Sequence, residues 1–178
     1  ELVPGTTDGA GCVSVDGKII PLSYVNPVGY AFYRATGAGS YKAVAAPADD
    51  GTALGFLQAR GMLTGKSADN VLTKDDLAAL MKVLTSGADT AAGCMTDVQG
   101  AAVRDLCAAL DAYIRYAGFD VYKSIVRRSP ILEGRCVDAL KSCWSTGIIT
   151  YDDLRCPDDV LTAAHAAEIV QRMIKACL

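Results

Sequence analysis

The sequence predicts an α+β chain that is mostly α: a small N-terminal antiparallel β-meander over residues 1–48, then a helical domain over residues 49–178 with five or six helices. Three observations carry that reading. The turn dipeptide Asp16-Gly17 sits between two short apolar runs, the signature of a tight hairpin whose central residues need positive φ. From Asp49 onward the apolar period changes from alternating to helical. Finally, one pattern occurs twice in the helical part: Gly61-Met62-Leu63-Thr64 with Asp69-Asn70-Val71-Leu72-Thr73, and Gly147-Ile148-Ile149-Thr150 with Asp158-Asp159-Val160-Leu161-Thr162. Each copy runs into an apolar helical stripe, so the pair reads as a duplicated helix–loop–helix.

Within the meander, Val13-Ser14-Val15 and Lys18-Ile19-Ile20 are expected to pair around Asp16-Gly17. A second hairpin is expected between Tyr30–Arg34 and Tyr41–Val44, around Thr36-Gly37-Ala38-Gly39-Ser40. Asp50 to Arg60 reads as a short helix stopped by Gly61, the residue type that a left-handed cap favours. Thr73 is a good N-cap, with Asp75 and Asp76 where the helix dipole favours acids and Leu77, Leu80, Met81 and Leu84 on one face. Thr96 is expected to open the longest helix, with Val103, Leu106, Leu110, Tyr113 and Ala117 as its stripe. Phe119 to Arg128 reads as a shorter helix and Ile131 to Trp144 as the next, ended by Gly147. Thr162 caps the last, which packs through Ala166, Ile169, Val170, Met173 and Ile174.

Hydrophobic residues make up 51% of the 178 and charged residues 21%, the balance of a packed chain. The net charge of −3 is spread evenly, and the densest basic cluster is only Lys123, Arg127 and Arg128. Backbone-driven nucleic-acid binding needs more clustered Lys and Arg than this, so no nucleic-acid partner is expected. No apolar run approaches the ~20 residues of a membrane-spanning helix. The chain opens at Glu1 without a leader pattern, as a processed, polyprotein-derived or trimmed terminus would.

Seven cysteines and one histidine leave no zinc spacing, and neither a metal nor a cofactor is expected. Dense cysteine usage points to an oxidising, extracytoplasmic location. Cys136, Cys143, Cys156 and Cys177 bracket the last two helices and are the disulfide candidates, with at least two bridges expected among the seven. Cys107, between Leu106 and Ala108 on a helix, reads as a buried thiol.

The unit of helix, Gly-Ile-Ile, loop, Asp-Asp-x-Leu-Thr and helix resembles an S-layer homology repeat, a module that anchors bacterial surface proteins to cell-wall polysaccharide. The family usually follows the Thr with Arg-Ala-Glu. Here the copies read Thr73-Lys74-Asp75-Asp76 and Thr162-Ala163-Ala164-His165, so only Lys74 keeps a positive charge. The resemblance implies a glycan-binding role, with Lys74 as its contact. It covers two repeats, whereas a complete binding unit of that family has three.

No catalytic constellation is legible. His165 and the C-terminal cysteines could form a nucleophile–base pair, but no flanking signature supports one. The carboxylate pairs Asp49-Asp50, Asp75-Asp76, Asp152-Asp153 and Asp158-Asp159 lack calcium-loop spacing and read as helix caps. Tyr24, Tyr30, Tyr33 and Tyr41 are the one cluster that hints at a binding face, though they could equally be the sheet's own core. The functional reading is a non-catalytic structural or protein-interaction domain of a surface assembly, with a protein partner or a second copy of the chain. The alternatives are an S-layer-homology-like glycan-binding module and an enzyme whose thiol or carboxylate site only the fold would assemble.

Overall fold

The structure is a computed structural model that describes residues 10–21, 23–25, 31–33, 37–45, 48–84, 101–117 and 131–177. It is α+β and mostly α, as the sequence predicts. Among the described residues five strands come first: β1 (Ala10–Val15), β2 (Lys18–Ile19), β3 (Ser23–Val25), β4 (Ala31–Tyr33) and β5 (Tyr41–Ala45). Six helices follow among the described residues: α1 (Ala53–Gln58), α2 (Lys74–Leu84), α3 (Val103–Ala117), α4 (Val137–Ser145), α5 (Tyr151–Arg155) and α6 (Ala163–Cys177).

The first hairpin forms as expected. Ser14 faces Ile19 and Val15 faces Lys18, and Asp16 and Gly17 both take positive φ, 48° and 80°. The second expected hairpin does not form, because β4 pairs with β3 and β5 pairs with β1, giving a sheet of order β2-β1-β5 and a separate β3-β4 ribbon. The cause lies at the turn. The Asp16 N–H donates to the Ser40 carbonyl at 3.2 Å, and the Ser40 N–H donates to Asp16 Oδ1 at 3.1 Å. These bonds align β5 with β1, placing Val13 opposite Ala43 and Val15 opposite Tyr41. Ser23 fastens β3 beside them: its hydroxyl accepts from Val13 N–H at 2.9 Å and donates to the Ile20 carbonyl at 2.7 Å. Val13, Ile20, Val25 and Ala31 make the small core so enclosed.

The helical part has its own, larger core, in which Leu57, Met62, Leu72, Leu77, Leu106, Leu110, Leu140 and Ile148 are fully buried. Arg60 ties the two parts together. Its guanidinium stacks 3.6 Å from the Phe56 ring centroid and donates to the Cys12 Sγ in β1 at 3.3 Å.

Helix boundaries follow capping chemistry. Thr52 caps α1 through the Gly55 N–H, and Gly61 past its end takes φ 78°. Thr73 and Asp76 cap α2 reciprocally: Thr73 N–H donates to Asp76 Oδ2 at 2.9 Å, and Asp76 N–H donates to Thr73 Oγ1 at 3.3 Å. Thr162 caps α6 by accepting the His165 N–H at 3.3 Å. Three boundaries differ from expectation. Thr96 lies outside the described residues, but α3 starts at Val103, because Ala101 and Ala102, which the expected helix would include, are held extended by bonds to other segments. The next helix starts at Val137 rather than Ile131, because Gly134 and Cys136 both take positive φ, 89° and 58°. The loop after Gly147 folds into α5, whose start is closed by a capping box of Thr150 and Asp153. The helix expected over Phe119–Arg128, and the Lys123, Arg127 and Arg128 cluster with it, lie outside the described residues.

Candidate functional site

Three extended straps meet within the helical part of the chain. Leu72 N–H donates to the Leu161 carbonyl, Leu161 N–H to the Ala101 carbonyl, and Ala101 N–H to the Leu72 carbonyl, each at 2.9 Å. The three bonds close a cycle. Bridges between Val71 and Thr162 and between Ala102 and Val160 flank it, and the ring residues are no more than 1% exposed. Two residues beyond each ring position a helix begins, at Lys74, Val103 and Ala163. Both copies of the sequence repeat therefore contribute a strap, and Ala101-Ala102 supplies a third.

The likeness of the three straps extends into the first helical turns. Four residues past the ring positions stand Asp76, Asp105 and His165. Asp105 accepts the Ala102 N–H at 2.9 Å, as Asp76 accepts that of Thr73 at the same distance. Each of the three also ties to a polar partner: Asp76 to Lys66 at 2.7 Å, Asp105 to Arg135, and His165 Nε2 to Asp153 Oδ1 at 2.5 Å.

Burial raises the pKa of Asp76, but hydrogen bonds from Lys66 and Thr73 outweigh it and hold the carboxyl below its usual range. Asp153 is similar. Its burial is outweighed by bonds from the Thr150 backbone N–H, His165, the Thr150 hydroxyl and Arg172, and its carboxyl is also held low. Arg104, 4% exposed, donates to the Arg135 carbonyl at 2.5 Å and to Asp158 Oδ2 at 2.6 Å. It thereby joins the start of α3 to the lead-in of α4 and to the loop before the Leu161 strap.

The sequence-predicted residues are distributed as follows. Lys74 opens α2, next to the strap ring, and is half-buried. Tyr33 and Tyr41 pack against the small core with ring centroids 5.1 Å apart, and the Tyr41 hydroxyl donates to the Gly37 carbonyl at 2.6 Å. Tyr30 and the side chain of Tyr24 lie outside the described residues. His165 meets a carboxylate, so its ring is held by Asp153 and not aimed at a thiol. Asp76 and Asp153 cap helices, and Asp50 caps the turn before α1 by accepting from Thr52 N–H at 2.9 Å.

The expected disulfides among Cys136, Cys143, Cys156 and Cys177 are not present in the described residues: Cys136, Cys143 and Cys156 are all thiols. The three sit at the lead-in to α4, in the core, and at the exposed end of α5, so chain proximity did not bring them together. The side chain of Cys177 and all of Cys94 lie outside the description. Cys107 is a buried thiol, as read from its helical neighbours. One feature went unread in the sequence: Trp144 at the end of α4 and Tyr151 at the start of α5 form a tilted aromatic pair, centroids 6.1 Å apart, with Tyr151 53% exposed. The Gly147 turn between them brings the rings together.

Among the described residues no helix is long and apolar enough to cross a membrane, and no cluster of three His, Cys, Asp or Glu could hold a metal ion. Compared with known proteins, the chain matches no family model, no curated protein and no solved structure.

Proposed function

We propose that the chain is a non-catalytic binding module of a surface assembly, and that its helical part is an S-layer-homology-like domain of three units that attaches to cell-wall polysaccharide. The observation that supports this reading is the closed cycle of Leu72, Leu161 and Ala101, each followed by a helix fastened at the same position. The sequence resemblance covers two units, and this reading takes the Ala101-Ala102 strap as the start of a third. Lys74, which opens α2 beside the straps, is the basic residue to which the resemblance points, and elsewhere in the helical part the Trp144–Tyr151 pair presents Tyr151, 53% exposed, to a sugar ring.

The test is co-sedimentation with purified cell walls, with and without their secondary polysaccharide. The reading expects sedimentation only with polysaccharide-bearing walls, weakened severalfold by K74A and by Y151A. Equal recovery with stripped walls, or no recovery with either, overturns the glycan reading.

The protein-contact reading has its own support in exposed apolar side chains on the straps, Val71 at 48% and Val160 at 58%. It expects a co-purifying protein, or a dimer in solution, that V71D and V160D disperse.

A further inference from the structure

We propose that Cys107 and Cys143 become joined by a disulfide when the protein folds in an oxidising environment, stapling α3 to α4. The two residues stand 36 positions apart on neighbouring helices and are 0% and 1% exposed. The Cys143 thiol is directed at the Cys107 residue, donating to its backbone carbonyl at an Sγ–O distance of 3.7 Å. The two are thiols in this structure, on facing helices of one core. The remaining described thiols have other surroundings. Cys12 lies in β1 against Arg60, Cys136 precedes α4, and Cys156 is exposed at the end of α5.

Contact with the Cys143 side chain, together with burial, holds the Cys107 thiol well above its ordinary pKa. A thiol held protonated in a closed core is a poor nucleophile, so the bond forms during folding, before α4 closes over α3. The co-reactant is an external disulfide such as oxidised glutathione. Its S–S bond breaks, one S–S bond forms between the two Sγ atoms, and two thiols leave with the two protons. Once closed, the bond is shielded from reductant by the same burial, and it constrains a long span of the unfolded chain.

The test is a disulfide map of the full chain refolded from urea in mixed reduced and oxidised glutathione, then alkylated in denaturant without reductant and digested. The expected result is a linked pair of peptides carrying Cys107 and Cys143, in a protein lighter by two hydrogens for that bond. C156S keeps the link, and C107S or C143S abolishes it. The chain secreted through an oxidising compartment gives the same map without a refolding step, so a variant that fails to fold leaves the wild-type measurement intact. Alkylation of both Cys107 and Cys143 in the folded wild-type chain, or a link from either to another cysteine, overturns the proposal.

Discussion

Leu72 and Leu161, 89 positions apart in the chain, are joined by a backbone hydrogen bond of 2.9 Å within the helical part of the chain. The two copies of the repeat therefore do not merely resemble each other. They meet, and each orders the segment that launches the other's helix. Both leucine side chains are fully buried, so truncation removes apolar contacts and leaves a cavity. L72A and L161A are each expected to destabilise the protein by about 2–5 kcal/mol in urea unfolding. A101L, at the third position of the ring, is expected to overpack it and cost about 1–3 kcal/mol.

Thr73 and Thr162 hold equivalent caps, and their hydroxyls satisfy a backbone N–H that the helix itself leaves unpaired. T73A and T162A are each expected to cost about 1 kcal/mol, and serine at either position is expected to restore most of the loss. An unfolding midpoint unchanged by T73A contradicts the capping role.

Asp153 predicts an acid-dependent loss of stability. Its carboxyl is held below the usual aspartate pKa in the folded chain, so the unfolded state binds the proton more readily. The contribution is present above the ordinary aspartate pKa of about 4 and is lost as pH falls through the lower folded value. Unfolding free energy measured from pH 6 downward should fall more steeply for the wild type than for D153N, which keeps the side-chain shape and removes the titration. Parallel curves would show that Asp153 does not contribute this slope.

Arg104 is buried and spans three segments, and Gly134 packs against it. Replacing Arg104 with Met keeps the stem but takes the donor from the part-buried Arg135 carbonyl and removes the ion pair to Asp158, whose exposed carboxylate water can solvate. A loss of about 1–3 kcal/mol is expected, more than for a surface arginine, because the hydrogen bonds of a buried guanidinium are lost. Gly134 takes φ 89°, and an added Cβ would stand 3.2 Å from the Arg104 Nη1. G134A is therefore expected to cost about 1 kcal/mol or more, from strain in the left-handed region.

The sequence by itself determined the local chemistry. Asp16-Gly17 fixed the first turn, Thr73 and Thr162 fixed two helix starts, and the apolar stripes fixed which faces are buried, because each is settled by residues a few positions apart. The tertiary structure decided what joins what. The pairing of β5 with β1 rests on bonds between Asp16 and Ser40, and the meeting of Cys107 with Cys143 rests on the packing of α3 against α4. The third strap was illegible for a further reason. Its place in the ring is held by main-chain N–H and C=O groups, which every residue except proline supplies in full, so Ala101-Ala102 does the work of Leu72-Thr73 without sharing a letter with it. Side-chain identity marks a site only where side chains make the bonds, and in this ring the backbone makes them.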